Sequence, residues 1–112
     1  MEKSVNRIEL TGNVGQDARI NTVGDNIVAR FNVATNETFK DRNGVLKEET
    51  TWHSVTAWNG RGMPDFTKIR KGTRVSVTGR LRMNRYTGQD GEDKIYYEVL
   101  ASRISIEEYN NS

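Results

Sequence analysis

Few residues in this 112-residue chain have the types and spacing needed for bond-making chemistry. There is one histidine, His53, and no cysteine. A lone histidine cannot form a zinc-ligand pair, and the absence of cysteine removes thiol nucleophiles, zinc-thiolate sites and disulfides. No Gly-x-Ser-x-Gly elbow presents an activated serine, and no Walker loop cradles a phosphate. Gly60-Arg61-Gly62 is too short for a nucleotide fingerprint. Asp90, Glu92 and Asp93 lie close together but lack calcium-loop spacing, so they read as a solvated turn. Asn36-Glu37-Thr38 has the form of a glycosylation sequon, which means nothing without a secretory signal. No catalytic residue, metal site or cofactor is therefore expected, and the chain reads as a non-enzyme.

Charge and aromatic rings are the more informative features. The formal net charge is +2, unevenly spread. Residues 61–85 carry eight basic side chains (Arg61, Lys68, Arg70, Lys71, Arg74, Arg80, Arg82, Arg85) against one acid, Asp65, a net +7. Residues 1–60 carry −1 and residues 86–112 carry −4. Such a block is either a solvated face or the footprint of an anionic partner, of which nucleic acid is the common one. Four rings lie among polar and basic neighbours: Phe39, Trp52, Trp58 and Tyr86. Trp58 also suits a core position, as strand tryptophans generally do. Phe39 and Tyr86, in Thr38-Phe39-Lys40 and Arg85-Tyr86-Thr87, have little core to join. Rings beside cations match single-stranded nucleic acid, whose bases stack at about 1–3 kcal/mol each while Lys and Arg follow the phosphates.

The elements that must position these groups are mostly strands. In residues 5–14, Ile8, Leu10, Gly12 and Val14 alternate with Glu9, Thr11 and Asn13, the pattern of a half-buried strand. A second strand starts at Ile27, with Ile27, Ala29, Phe31 and Val33 on one face and Val28, Arg30, Asn32 and Ala34 on the other. The polar stretch 36–49 centres on Asn43-Gly44, a strong hairpin signal, so it is expected to project as a β-ribbon. In residues 51–58, Trp52, Ser54, Thr56 and Trp58 alternate with His53, Val55 and Ala57. Pro64, Phe66 and Ile69 predict one or two helical turns ending at Gly72. Residues 73–81 place Val75, Val77, Gly79 and Leu81 inward and Arg74, Ser76, Thr78, Arg80 and Arg82 outward. Residues 95–106 supply a last strand or strand pair after a turn at Asp90-Gly91. Five strands with one short helix between the third and fourth give an all-β chain, in the order of the five-stranded Greek-key barrel known as the OB-fold. Other small β-barrels share much of this pattern.

A chain of 12.8 kDa is one domain, here residues 1–112, with the barrel over about 5–106 and a short end at 107–112. No apolar run is long enough to span a membrane. The N-terminus lacks the apolar segment of a signal peptide, so the expected location is cytoplasmic.

Several segments in this order resemble the bacterial single-stranded DNA-binding protein family. They are Val5-Asn6-Arg7-Ile8-Glu9-Leu10-Thr11-Gly12-Asn13-Val14-Gly15-Gln16-Asp17, Phe31-Asn32-Val33-Ala34-Thr35-Asn36-Glu37, Thr51-Trp52-His53-Ser54-Val55, and Arg70 through Leu81 with its Lys-Gly-x-x-Val-x-Val-x-Gly-x-Leu pattern. The resemblance runs from about Val5 to Ile106. It implies an OB-fold that binds and protects single-stranded DNA in replication, recombination or repair, in association with the nucleoid and usually as a homotetramer. It places the stacking rings at Phe39, Trp52, Trp58 and Tyr86, and His53 near a subunit contact. Expected phosphate contacts, from the basic block, are Lys71, Arg74, Arg80, Arg82 and Arg85. A competing reading is an OB-fold interaction subunit of a replication assembly that binds nucleic acid weakly. The family typically continues into an acidic tail that recruits repair and replication enzymes. Glu107-Glu108-Tyr109-Asn110-Asn111-Ser112 does not match that tail, so recruitment through it is not expected, whether the chain is tail-less or truncated.

Overall fold

A computed structural model describes residues 2–107. Most of the short C-terminal end, from Glu108 onward, lies outside the described residues.

Six strands and one short helix follow in order. They are β1 (Ile8–Val14), β2 (Arg19–Val23), β3 (Asn26–Lys40), β4 (Leu46–Trp58), the 3-10 turn Phe66–Lys68, β5 (Arg74–Thr87) and β6 (Asp93–Ile106). The sheet order is β1-β5-β6-β4-β3-β2, and β1 also pairs with β3. That extra pairing closes five strands into a barrel and leaves β2 as an edge strand outside it.

The alternation read from the sequence sets the barrel wall. Val14, Phe31, Val33, Val55, Val75 and Val77 point into the core, with Ile8 and Leu10 packed against it. Closure brings β1 across β3 at Asn13↔Ala34 and Val14↔Val33. The crossing is close enough that a side chain at Gly12 would collide with the Ala34 carbonyl. The β4–β6 seam is parallel and short, pairing only Val55↔Val99 and Thr56↔Leu100. A bulge in β6 at Ser102 shifts its register against Thr78 and Gly79 and restores the inward alternation of Ala101 and Val99.

Of the one or two helical turns expected before Gly72, one is present. One 3-10 turn forms, and Pro64 precedes it rather than opening it. Asp65 caps it by accepting from the Thr67 backbone N–H at 2.9 Å and hydroxyl at 2.7 Å. Ile69 is already extended, which stops propagation. The expected i, i+3 edge holds: Phe66 and Ile69 both enter the core, and Ile69 is almost wholly buried.

Two long hairpins extend beyond the barrel. In β3–β4 the pairing runs without interruption from Val28↔Trp58 to Lys40↔Leu46. Its turn is held by Asp41, whose Oδ1 accepts from the N–H groups of Asn43 and Val45, with Gly44 at φ 78°. In β5–β6 the pairing reaches Thr87↔Asp93, and the turn contains Asp90-Gly91. Among the described residues, β5 pairs only with β6 from Arg82 outward, so this part is a two-stranded ribbon. The radius of gyration is 16.7 Å, against about 13 Å for a compact chain of this length. The ribbons account for that excess.

Candidate nucleic-acid interface

The outward side of β4 presents Trp52, Ser54, Thr56 and Trp58, because Val55 and Ala57 take the inward alternation. At a strand rise of about 3.3 Å, Trp52 and Trp58 stand roughly 20 Å apart. No ligand the size of a single base could touch both rings. Both rings are partly open, Trp52 at 60% and Trp58 at 38% exposure. Trp58 is therefore an outer-face residue rather than a core one. Val28, its cross-strand neighbour on β3, is almost fully buried at this spot.

Trp52 has a defined seat. A Cβ built at Gly15 would lie 2.5 Å from Cζ3 and 2.9 Å from Cη2 of the indole. The ring thus packs on the Gly15 backbone, and Gly15 is fixed by its N–H donating to the Asn32 carbonyl at 3.0 Å.

Between the tryptophans lies a shallow groove of about 310 Å³ floored by Asn32, Ser54 and Thr56. Arg19, Arg30 and Tyr96 line it, with Asp17 and Glu98 as the acids. Arg19 and Arg30 are directly opposite one another across β2 and β3. Among the described residues neither is in an ion pair. Sequence reading missed both, and it missed Tyr96. Arg30 was legible, since it alternates with the core residues of its strand. Arg19 was not, because all five residues of β2 are exposed and show no alternation.

The β5–β6 ribbon continues the same outward alternation through Arg80, Arg82, Asn84 and Tyr86 on β5, and Glu98, Tyr96 and Lys94 on β6. Tyr86 and Tyr96 meet edge to face, with ring centroids 5.8 Å apart and planes at 61°. That geometry is favourable for an aromatic pair. It leaves both rings about half exposed, at 49% and 47%.

Other expected contacts are scattered. Phe39, 46% exposed, alternates with Trp52, so it lies on the other side of the β3–β4 ribbon, with Glu37 and Thr35. Arg85 likewise alternates to the opposite side of its ribbon, beside Met83. Arg74 begins β5, about 40 Å along the strand from Tyr86 at the usual rise. It pairs with Glu107 at 3.1 Å. Lys71 is in the preceding turn, where its backbone N–H donates to Asp17 Oδ1 at 2.9 Å. His53 alternates inward, and its Nε2 hydrogen-bonds the Thr35 hydroxyl at 2.9 Å. The structure thus gathers Trp52, Trp58, Tyr86, Arg80 and Arg82 on one outward alternation and adds Tyr96, Arg19 and Arg30 to it.

Among the described residues no group of three or more His, Cys, Asp or Glu is placed to hold a metal ion. No helix among them is long and apolar enough to cross a membrane.

Comparison with known proteins bears on this arrangement. A single-stranded DNA-binding protein of Xanthomonas axonopodis is 35% identical over 107 residues, covering 95% of this chain and 59% of the relative. One from Neisseria meningitidis is 32% identical over 104 residues, covering 92% of this chain and 60% of the relative. The chain thus spans about three-fifths of the length of these relatives. A solved structure of Plasmodium falciparum SSB in complex with ssDNA superposes with a TM-score of 0.84 at 33% identity, covering 96% of this chain and 99% of that one. The barrel is an OB-fold, and the family model for the single-strand binding protein family matches residues 5–107, so the chain belongs to that family.

Proposed function

We propose that this chain binds single-stranded DNA with little regard for sequence, keeps strands unpaired and protected, and performs no chemistry on them. The observation that carries this reading is the outward alternation that collects Trp52, Trp58, Tyr86 and Tyr96 beside Arg19, Arg30, Arg80 and Arg82. Rings offer every base a π-face, and arginines follow the backbone without reading base edges. Kinship with proteins named for single-stranded DNA binding supports it. Phe39, Lys71, Arg74 and Arg85 extend the contact list to a strand that wraps beyond this one face. Roles in replication, recombination and repair, within the cytoplasm at the nucleoid, follow from the same kinship.

The proposal includes a homotetramer, with a dimer as the smaller form and His53 near a subunit contact. β1 favours assembly, because beyond Asn13 and Val14 its second edge has no strand partner among the described residues. Light scattering that returned the monomer mass at micromolar concentration would reject both assemblies.

Titration with oligo-dT tests the function. Both tryptophans of the chain lie on the proposed face, so intrinsic fluorescence should be quenched strongly at saturation. Trp52→Ala or Trp58→Ala should weaken binding by about 1–3 kcal/mol while the protein stays folded. Unchanged emission at saturating oligomer would instead favour a protein-interaction subunit with weak nucleic-acid binding.

A further inference from the structure

Glu98 is an unexpected residue to find beneath a cationic, aromatic face. It is only 8% exposed, and its charge would repel a passing phosphate. Among the described residues its one ion-pair partner is Arg82, whose Nε lies 3.7 Å from Oε1. Both carboxylate oxygens are nonetheless engaged. Oε2 accepts from the Thr56 hydroxyl on β4 at 2.6 Å. Oε1 accepts from Asn84 Nδ2 on β5, also at 2.6 Å. Asn84 Oδ1 in turn accepts from Arg82 Nε at 3.2 Å. Thr56, Glu98, Asn84 and Arg82 therefore form one polar chain across β4, β6 and β5.

The position of that chain gives it a role. β4 and β6 pair over only two residue pairs, at Val55↔Val99 and Thr56↔Leu100. Immediately beyond, residues 93–97 of β6 pair with β5 alone. Glu98 thus sits at the root of the ribbon, where it departs from the barrel. Burial changes at the same place: Glu98 and Val99 are buried, and residues 93–97 are exposed. The ribbon carries Tyr86 and Tyr96, whereas Trp52 and Trp58 belong to β4. Apart from this polar chain, the direct join between β4 and β6 at the root is two backbone pairings.

We infer that Glu98 is a positioning residue: through Thr56 and Asn84 it fixes the ribbon carrying Tyr86 and Tyr96 at a set angle to the β4 face carrying Trp52 and Trp58. This rests on the function proposed above and assigns that face a rigid geometry. Glutamine retains the length and one acceptor, and the Thr56 hydroxyl can turn to accept from its amide. Glu98→Gln therefore keeps the tether. Glu98→Ala removes it, and Thr56→Val cuts the link to β4 with little change of shape.

Two measurements test this. Amide hydrogen exchange needs no DNA. In Glu98→Ala and Thr56→Val, amides of the ribbon should exchange faster, while barrel amides in β1 and β3 keep their protection and Glu98→Gln behaves as the parent. Equal acceleration throughout the barrel, or none in the ribbon, would overturn the inference. Binding is then compared for oligo-dT of about 4 and about 16 nucleotides, the range occupied by one OB-fold. Losing a well-placed base stack weakens binding about 5- to 150-fold. The long oligomer should lose affinity in that range with Glu98→Ala and Thr56→Val, whereas the short one, which the β4 face alone can hold, should lose several-fold less. Glu98→Gln, which keeps the tether and removes the charge, should bind the long oligomer at least as tightly as the parent. Equal losses at both lengths would reject a positioning role. A parent protein that bound neither oligomer would overturn the proposed function, and the exchange measurement would still decide the tether.

Discussion

Gly15→Ala should separate stability from binding, because it acts on the seat of Trp52 and on nothing in the core. The new methyl carbon would lie 2.5 Å from the indole, where ordinary contact begins at 3.4 Å. The ring must therefore withdraw by about 1 Å or rotate off its seat. Gly15 is not among the positive-φ glycines, so alanine can adopt its backbone conformation. A glycine-to-alanine change at such a site stabilises by about 0.4–1 kcal/mol through the unfolded chain. That gain offsets the packing lost when a 60%-exposed ring lifts, and the melting temperature should stay close to the parent's. Binding should fall, because a displaced ring no longer presents its face at the same height and angle. The full loss of one stack, about 1–3 kcal/mol, sets the ceiling, and Trp52→Ala measures it. The assay is a fluorescence titration with oligo-dT on the two single variants and the double variant, with Trp58 remaining as the reporter. In the Trp52→Ala background, Gly15→Ala should have no further effect on affinity. A folded Gly15→Ala protein with parental affinity, or an equal penalty in both backgrounds, would refute the seat.

Other predictions concern charge, closure and acid. Affinity should fall with salt at a log–log slope of about −0.7 per neutralised phosphate, and Arg80→Ala with Arg82→Ala should flatten that slope by about one unit or more. An unchanged slope would take both arginines off the strand's path. Gly12→Ala should prevent normal barrel closure, since its methyl group and the Ala34 carbonyl cannot share the crossing, and soluble yield with near-ultraviolet circular dichroism will show it. The hydroxyl and then the N–H of Thr67, with a smaller effect from Lys68, hold the Asp65 carboxyl below its ordinary value of 3.8. Its contribution to stability is present above that ordinary value and is lost as pH falls through the lower folded one. Asp65→Asn should therefore flatten the acid limb of the stability curve below about pH 4, as read by urea melts at several pH values.

Where one side of a strand is buried, the sequence already spelled out the structure. Trp52, Ser54, Thr56 and Trp58 fell outward because Val55 and Ala57 must fall inward, and the Asn43-Gly44 turn lies where its chemistry puts it. Leu81 kept its inward alternation but is 44% exposed, because the barrel ends near it and the ribbon continues into solvent. Arg19 and Tyr96 were illegible for a related reason. Their segments bury neither face, so no alternation marks which way a side chain points. Phe39 and Tyr86 were correctly read as lacking a core to join. Their opposite alternations depend on the pairing register, which local residue types do not specify. Of the one or two helical turns expected, only one forms because Asp65 and an extended Ile69 bracket three residues.

The short β4–β6 seam also bears on how the chain reaches its native state. Both long hairpins join neighbours across tight turns, so they can zip locally and early. The β4–β6 seam must instead bring Val55 to Val99, and the reward is only two residue pairs. Loop-closure entropy is met before such a contact gives anything back. Circularisation of the barrel should therefore come late, after a stage in which two finished hairpins are joined only by flexible chain. In that stage the facing edges of β4 and β6 are open, and an edge from a second molecule would serve as well as the chain's own. Refolding at high protein concentration should then yield exchanged dimers alongside the native form. Variants that weaken the seam without touching either hairpin should raise their share.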